Sequence, residues 1–226
     1  MADRIAFLQH SATDVPGVLG DYLDGLGFTV STHRADHGPA SLPAPGSFDL
    51  LVVMGSIESV TDAGVPWIAP ERRLVGAAVR DGVPVLGVCF GGQLLAEVLG
   101  GSVERASRPE IGWRRLDTDD AATVPAGPWL DWHEDAFTCP PGARPVARTD
   151  VSLHAFVDGP HTGVQFHPEV TRPVVESWIG DARERAHLSD EDVDALLIGF
   201  DQSGRGPDHL ATTLVDTFLT RADAPR

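Results

Sequence analysis

Short apolar runs that alternate with helically spaced segments constrain this chain more than any other feature. FDLLVVMG (48–55) is a continuous apolar run closed by glycine, the pattern of a central parallel strand buried on both faces. GVPVLGVC (82–89) is a second such run, and RIAFLQH (4–10) and FTVSTH (28–33) read as shorter strands. Between them, residues 14–26 place Val15, Val18, Leu19, Tyr22, Leu23 and Leu26 at helical spacing, with Gly27 as a stop signal. Helical spacing resumes from Trp67 to Arg80 and again over GQLLAEVLGG (92–101). The Pro/Gly-rich stretch HGPASLPAPGS (37–47) reads as a connection. This alternation implies βαβ units, hence an α/β fold with a doubly wound, mostly parallel sheet and helices on both faces.

After residue 101 the texture changes. SVERAS, GWRRLDT, ARPVARTD, SLHAFVDG and TGVQFHPE read as shorter strands joined by Pro/Gly turns, several of them antiparallel additions to the sheet. Residues 171–186 and 189–200 read as helices, with Ser189 as an N-cap ahead of three acidic residues. DQSGRGP (201–207) reads as a loop before a last helix ending near Thr220. The 226 residues fit one domain, 1–226, with the helices at 189–220 packing on or extending it.

A net charge of −16 disfavours a phosphate-backbone partner, so nucleic acid is not expected. The N-terminal MADRIAFLQH lacks a basic region followed by a long apolar run, and no uncharged stretch is of spanning length; a cytoplasmic protein without a membrane partner is expected. Two cysteines, Cys89 and Cys139, cannot organise a disulfide framework.

The chemistry is signalled at Gly-Val-Cys-Phe-Gly (87–91), which lies between an apolar strand and a helix. This is the form of a nucleophile elbow with a thiol in place of a hydroxyl. The helix N-terminus would favour thiolate, and N–H groups led by that of Phe90 would bind an oxyanion. A buried structural cysteine is the competing reading. A thiolate nucleophile needs a base and an orienting group, and GVQFHPEV (163–170) offers both in His167 and Glu169. On a strand, residues i and i+2 share a face, which would stand Glu169 beside His167. A surface His-Pro-Glu turn is the alternative.

Taken together, PVLGVCFGGQLLAEVLGGSV (84–103), WHEDAFTCPPGA (132–143) and GVQFHPEVT (163–171) resemble the class I glutamine amidotransferases, in the family's order. The resemblance is greatest to the branch similar to the amidotransferase domain of GMP synthase. It runs from about residue 48 to 178 and implies a flavodoxin-like fold and a Cys89–His167–Glu169 triad. It places VVMGSIESV (52–60) at the oxyanion loop, where Gly55 is kept while Ser56 and Ile57 replace the usual Gly and Pro. It gives Gln93 a hold on the α-amino/carboxylate end of the substrate, puts His133 and a HEDAF turn on the pocket wall, and packs RPEIGW (108–113) beside the site. His154 stands where glutamine is usual and is taken as structural.

The implied reaction is hydrolysis of the glutamine γ-amide through a cysteine thioester, with no cofactor and no metal. His33 and His37 are read as exposed loop histidines rather than ligands. No P-loop is present, so the implied acceptor of ammonia is a separate synthetase. The alternatives are a stand-alone γ-glutamyl hydrolase or peptidase acting on γ-glutamyl amides or conjugates, and a catalytically silent regulatory partner. Cys139 lacks both the glycine corner and the helix start and is read as structural.

Overall fold

The computed structural model describes residues 3–184, 188–202 and 208–223. Five strands are parallel: β1 (Arg4–Gln9), β2 (Thr29–Arg34), β3 (Leu50–Val53), β4 (Val85–Val88) and β10 (His161–Val164). They lie in the order β2-β1-β3-β4-β10, and β9 (Leu153–Asp158), β8 (Arg144–Arg148) and β6 (Asp117–Thr118) extend the sheet antiparallel beyond β10. Ile5 and Phe7 face one side of β1, and Ala6 and Leu8 face the other, so each strand feeds two cores.

Helices α1 (Gly17–Gly25) and α6 (Asp208–Ala222) cover one face with Leu19, Leu23, Leu214 and Phe218. Helices α2 (Ile68–Arg80) and α3 (Phe90–Val98) cover the other with Leu74, Val75, Leu94 and Leu95. Two-sided burial is why β3 and β4 read as unbroken apolar runs. This is the doubly wound arrangement that the alternation implies, and the flavodoxin-like fold that the resemblance implies.

A separate antiparallel ribbon pairs β5 (Val103–Arg114) with β7 (Trp129–Phe137). Here the expectations need correction. SVERAS and GWRR are parts of one strand outside the main sheet, and HEDAF is the end of β7 rather than a turn. Its alternating polar residues sit between a core face and a cleft, so they resemble turn composition without making one. Helices α4 (Arg172–Glu184) and α5 (Asp190–Gln202) pack on this ribbon through Val175, Ile179, Val193 and Leu196. Trp113 Nε1 donates to the Leu196 carbonyl at 2.8 Å. Ser189 does cap α5: its Oγ accepts the Asp192 N–H at 3.2 Å, and Asp192 Oδ2 accepts the Ser189 N–H at 2.9 Å, a reciprocal capping pair. The expected 201–207 loop is shortened by α5, which runs to Gln202, and its remainder lies outside the described residues. Among the described residues no helix is long and apolar enough to cross a membrane.

Candidate active site

His10, Gly55, Cys89 and the segment carrying His167 follow β1, β3, β4 and β10 respectively, all at the carboxyl edge of the parallel strands. Open α/β sheets bind ligands at that edge.

Cys89 caps α3 with φ 52° and ψ −107°, the only positive φ outside glycine among the described residues. A residue held there is strained and is kept only where its surroundings dictate it. The surroundings are explicit. Cys89 N–H donates to the Val164 carbonyl at 2.8 Å, and Gly91 N–H donates to the Met54 carbonyl at 3.2 Å. A Cβ on Gly91 would lie 2.1 Å from the Val53 carbonyl oxygen, and one on Gly92 would lie 2.4 Å from that of Val164. Both glycines therefore let α3 start directly against two strands. Phe90 is the first residue of α3, and among the described residues no acceptor takes its N–H or that of Ser56. Ser56 has no positive φ, so serine fits this loop without strain. Gly55 is required for space: a Cβ there would lie 2.9 Å from His167 Cε1.

His167 Nδ1 and Glu169 Oε1 are 2.7 Å apart, with both side chains buried. The strand-face expectation gives the right pair for the wrong reason. β10 ends at Val164, and His167 is held by an isolated bridge to Leu130, its N–H donating to the Leu130 carbonyl at 2.8 Å. Glu169 lies in the turn beyond. Burial opposes charge on His167, but the Glu169 carboxylate and hydrogen bonding with Cys89 outweigh it and raise its pKa well above the ordinary value. Gly17, with φ +47°, brings α1 against this turn, and the Val18 N–H donates to the Glu169 carbonyl at 3.0 Å.

These groups open onto a cleft of about 500 Å³ lined by Gly55, Ser56, Cys89, Gln93, His133 and His167 among others. Six of the eight candidate residues line this cleft; Phe90 follows Cys89 at the start of α3, and Glu169 reaches the cleft only through its bond to His167. Gln93 is buried, and its Nε2 donates to the Asp135 carbonyl at 3.1 Å and to Gln165 Oε1 at 3.3 Å, leaving its oxygen for a ligand. His133 Nδ1 lies 3.0 Å from the Asp135 carbonyl oxygen and would donate to it. Burial pushes His133 down to about 4. His33 lies on β2, not in a loop, with Nδ1 3.1 Å from the Ser41 carbonyl. Cys139 is partly buried, which raises its pKa.

The His133 shift has a measurable consequence. Between its ordinary 6.5 and about 4, the unfolded chain takes up a proton at this position that the folded protein refuses. Stability therefore falls as pH drops through that window, by about 3 kcal/mol in all. Denaturant titrations of wild type and His133→Asn at pH 7, 5.5 and 4.5 should show a shallower pH slope in the variant.

One grouping of residues at the site carries no linear signal, although its members fall in segments already singled out. Glu110, His133 and His154 bring ligand atoms within 4.8 Å of one another, a possible metal set assembled from β5, β7 and β9. Two of its three members are already engaged. Glu110 Oε2 accepts from Thr149 Oγ1 and Ser152 Oγ at 3.1 Å each, and Arg114 Nε lies 3.4 Å from Glu110 and 3.5 Å from Asp131. His154 Nε2 lies 3.2 Å from Asp131 Oδ2; burial opposes its charge, but Asp131 and Glu110 prevail and raise its pKa. Glu110 and His154 are held in a buried ion-pair network with Arg114 and Asp131, while the buried His133 Nε2, 3.5 Å from Glu110 Oε2, has no hydrogen-bond partner among the described residues; the Arg114 cation beside both carboxylates makes the set a poor fit for a metal. Residues missed from the linear pattern are Gln165, whose Nε2 lies 3.6 Å from Cys89 Sγ, and Trp178, whose ring meets the His167 imidazole edge-on at 4.8 Å. Only the family-like string GVQFHPE could have flagged Gln165; a tryptophan in a helix flags nothing.

Fold and site together define a doubly wound α/β protein with a cysteine on a strained strand–helix corner and a histidine–glutamate pair beside it. The profile of the family "Glutamine amidotransferase class-I" matches residues 17–176, and the chain belongs to that family. A GMP synthase [glutamine-hydrolyzing] from Thermus thermophilus is 42% identical over 129 residues, covering 53% of this chain. The match spans only 24% of that relative, so this chain corresponds to a part of it. A glutamine amidotransferase from Thermotoga maritima shares the fold at a TM-score of 0.86 and 23% identity, over 99% of this chain and 100% of that one. A glutamine amidotransferase from Methylobacillus flagellatus aligns at a TM-score of 0.79 and 28% identity, over 96% of each chain.

Proposed function

We propose that this chain hydrolyses the γ-amide of L-glutamine through a thioester on Cys89 and supplies the ammonia to a separate synthetase. The observation that carries the reading is Cys89 and His167 on one cleft with Glu169 bonded to His167 behind it, and the Ser56 and Phe90 N–H groups without an acceptor among the described residues. Cys89 Sγ, as thiolate, attacks the amide carbon. The oxyanion accepts from the N–H groups of Ser56 and Phe90. His167, protonated and oriented by Glu169, gives its proton to the departing ammonia. The neutral imidazole then takes a proton from water, whose oxygen attacks the thioester carbonyl; glutamate leaves and the Cys89 thiolate is restored. His133 and the free Gln93 oxygen line the end of the cleft that takes the amino-acid head of the substrate. The glutamine-hydrolysing relatives support the substrate.

One observation favours a second reading. The cleft has the volume of sites for ligands larger than a free amino acid, and Trp132, Trp178 and Ile57 give it an apolar wall. A γ-glutamyl hydrolase acting on γ-glutamyl amides or conjugates would use that space for its leaving amine. Ammonia release from glutamine should be compared with amine release from a panel of γ-glutamyl amides. A diazoketone analogue of glutamine should label Cys89 in the first case and also in the second. Absence of both turnover and labelling would overturn both readings.

A further inference from the structure

Behind the oxyanion loop lies a second buried histidine–carboxylate pair that the proposed chemistry does not touch. His10 follows β1, and Glu71 lies in the first turn of α2. Both side chains are fully buried. His10 Nε2 is 2.9 Å and 3.1 Å from the two Glu71 carboxylate oxygens, and Nδ1 is 2.7 Å from the Gly55 carbonyl oxygen. The ring is clamped by Trp67, stacked at 4.9 Å, and by Phe90, tilted at 4.8 Å.

Both ring nitrogens face oxygen acceptors, so each is best satisfied carrying a hydrogen. Burial opposes the resulting charge, but Glu71 prevails and the His10 pKa is raised. A buried ion pair is costly to build and is weak evidence of a stability role. Its geometric effect is specific. In a trans peptide, C=O and N–H point in opposite directions. Holding the Gly55 carbonyl on His10 therefore turns the Ser56 N–H away from His10, and that N–H has no other acceptor among the described residues. Space beside the peptide is limited on the other side: a Cβ placed on Gly55 would lie 2.9 Å from His167 Cε1 and 3.7 Å from Cys89 Cβ.

We propose that His10 and Glu71 are positioning residues that lock the Gly55–Ser56 peptide with its N–H presented to the cleft as an oxyanion donor. This rests on the amide-hydrolase reading of the site. It explains how a loop with serine and isoleucine in place of glycine and proline holds one orientation. The other charged group facing His10 is Asp14, across the cleft mouth.

The test uses His10→Phe, which keeps a ring between Trp67 and Phe90 but removes the donor, and His10→Asn, whose amide nitrogen can replace Nδ1. His10→Phe should lower kcat about a hundredfold, the scale of losing one oxyanion donor, with KM within twofold. Its Cys89 alkylation rate with iodoacetamide, a displacement that forms no oxyanion, should stay within twofold of wild type. His10→Asn should recover at least tenfold of the lost kcat. A crystal structure of His10→Phe should show the Gly55–Ser56 peptide rotated while Cys89 and His167 keep their places. An unrotated peptide, or equal losses in both variants, overturns the proposal. If wild type hydrolyses no γ-glutamyl compound, the amide-hydrolase reading fails, and the crystal structure still decides whether His10 sets the peptide.

Discussion

Cys89→Ala should lower glutamine turnover by about 10⁴-fold or more, to near background. Removing the nucleophile of a coupled set costs about as much as removing the set, because no other member can form the covalent intermediate. Burial of Cys139 raises its pKa and makes it a poor thiolate, so it cannot substitute. The fold should survive. The side chain removed is small, and the corner is held by the Val164 and Met54 carbonyls through backbone bonds that alanine keeps. Alanine at φ 52° is no worse placed than cysteine. Parallel assays of ammonia release and thermal melting check this. Residual activity above a hundredth of wild type would remove Cys89 from the nucleophile's role; a collapsed melting transition would show that the thiol is part of the packing.

Gly91→Ala should have the largest effect on stability. The new Cβ would lie 2.1 Å from the Val53 carbonyl oxygen and 2.6 Å from its carbon, both backbone atoms in a central strand. Neither can turn aside as a side chain would. Relief requires α3 to back away from β3, which breaks the Gly91-to-Met54 bond and opens the packing of Leu94 and Leu95. A loss of at least about 3 kcal/mol is expected, or about 6–12 °C in Tm for a chain of this size. Gly180→Ala is the control, since nothing lies within 4 Å of the Cβ it adds. Equal melting temperatures for the two variants would contradict the close-approach account.

The parts of this protein that are legible in its sequence are those where neighbours along the chain do the work. Val85–Val88 followed by Phe90–Val98 is a strand–helix unit whose apolar period and glycines are local, so the corner and its thiol can be read directly. His-Pro-Glu is likewise local, although the bridge to Leu130, rather than strand alternation, sets its geometry. The β5–β7 ribbon was harder to see because its strands serve a cleft on one side, and half-polar alternation with a proline at 109 imitates a string of turns. His10 and Glu71 are 61 residues apart and meet only because β1 and α2 are brought together. A glutamate among the apolar positions of an otherwise amphipathic helix was the one available hint.

The division of labour around the cleft has an evolutionary corollary. Cys89, the Gly55–Ser56 loop and the His10–Glu71 pair hang from strand ends whose spacing is dictated by the sheet itself. The wall opposite, with Trp132, Trp178 and Ile111, belongs to a third apolar cluster built from the ribbon, α4 and α5. His167 is the hinge between the two, belonging to the sheet by chain connection and to the ribbon by its hydrogen bond to Leu130. Descendants of such a scaffold can remodel that outer wall while inheriting the sheet edge intact. The tolerated changes should stop abruptly at Leu130, where altering the wall would move His167.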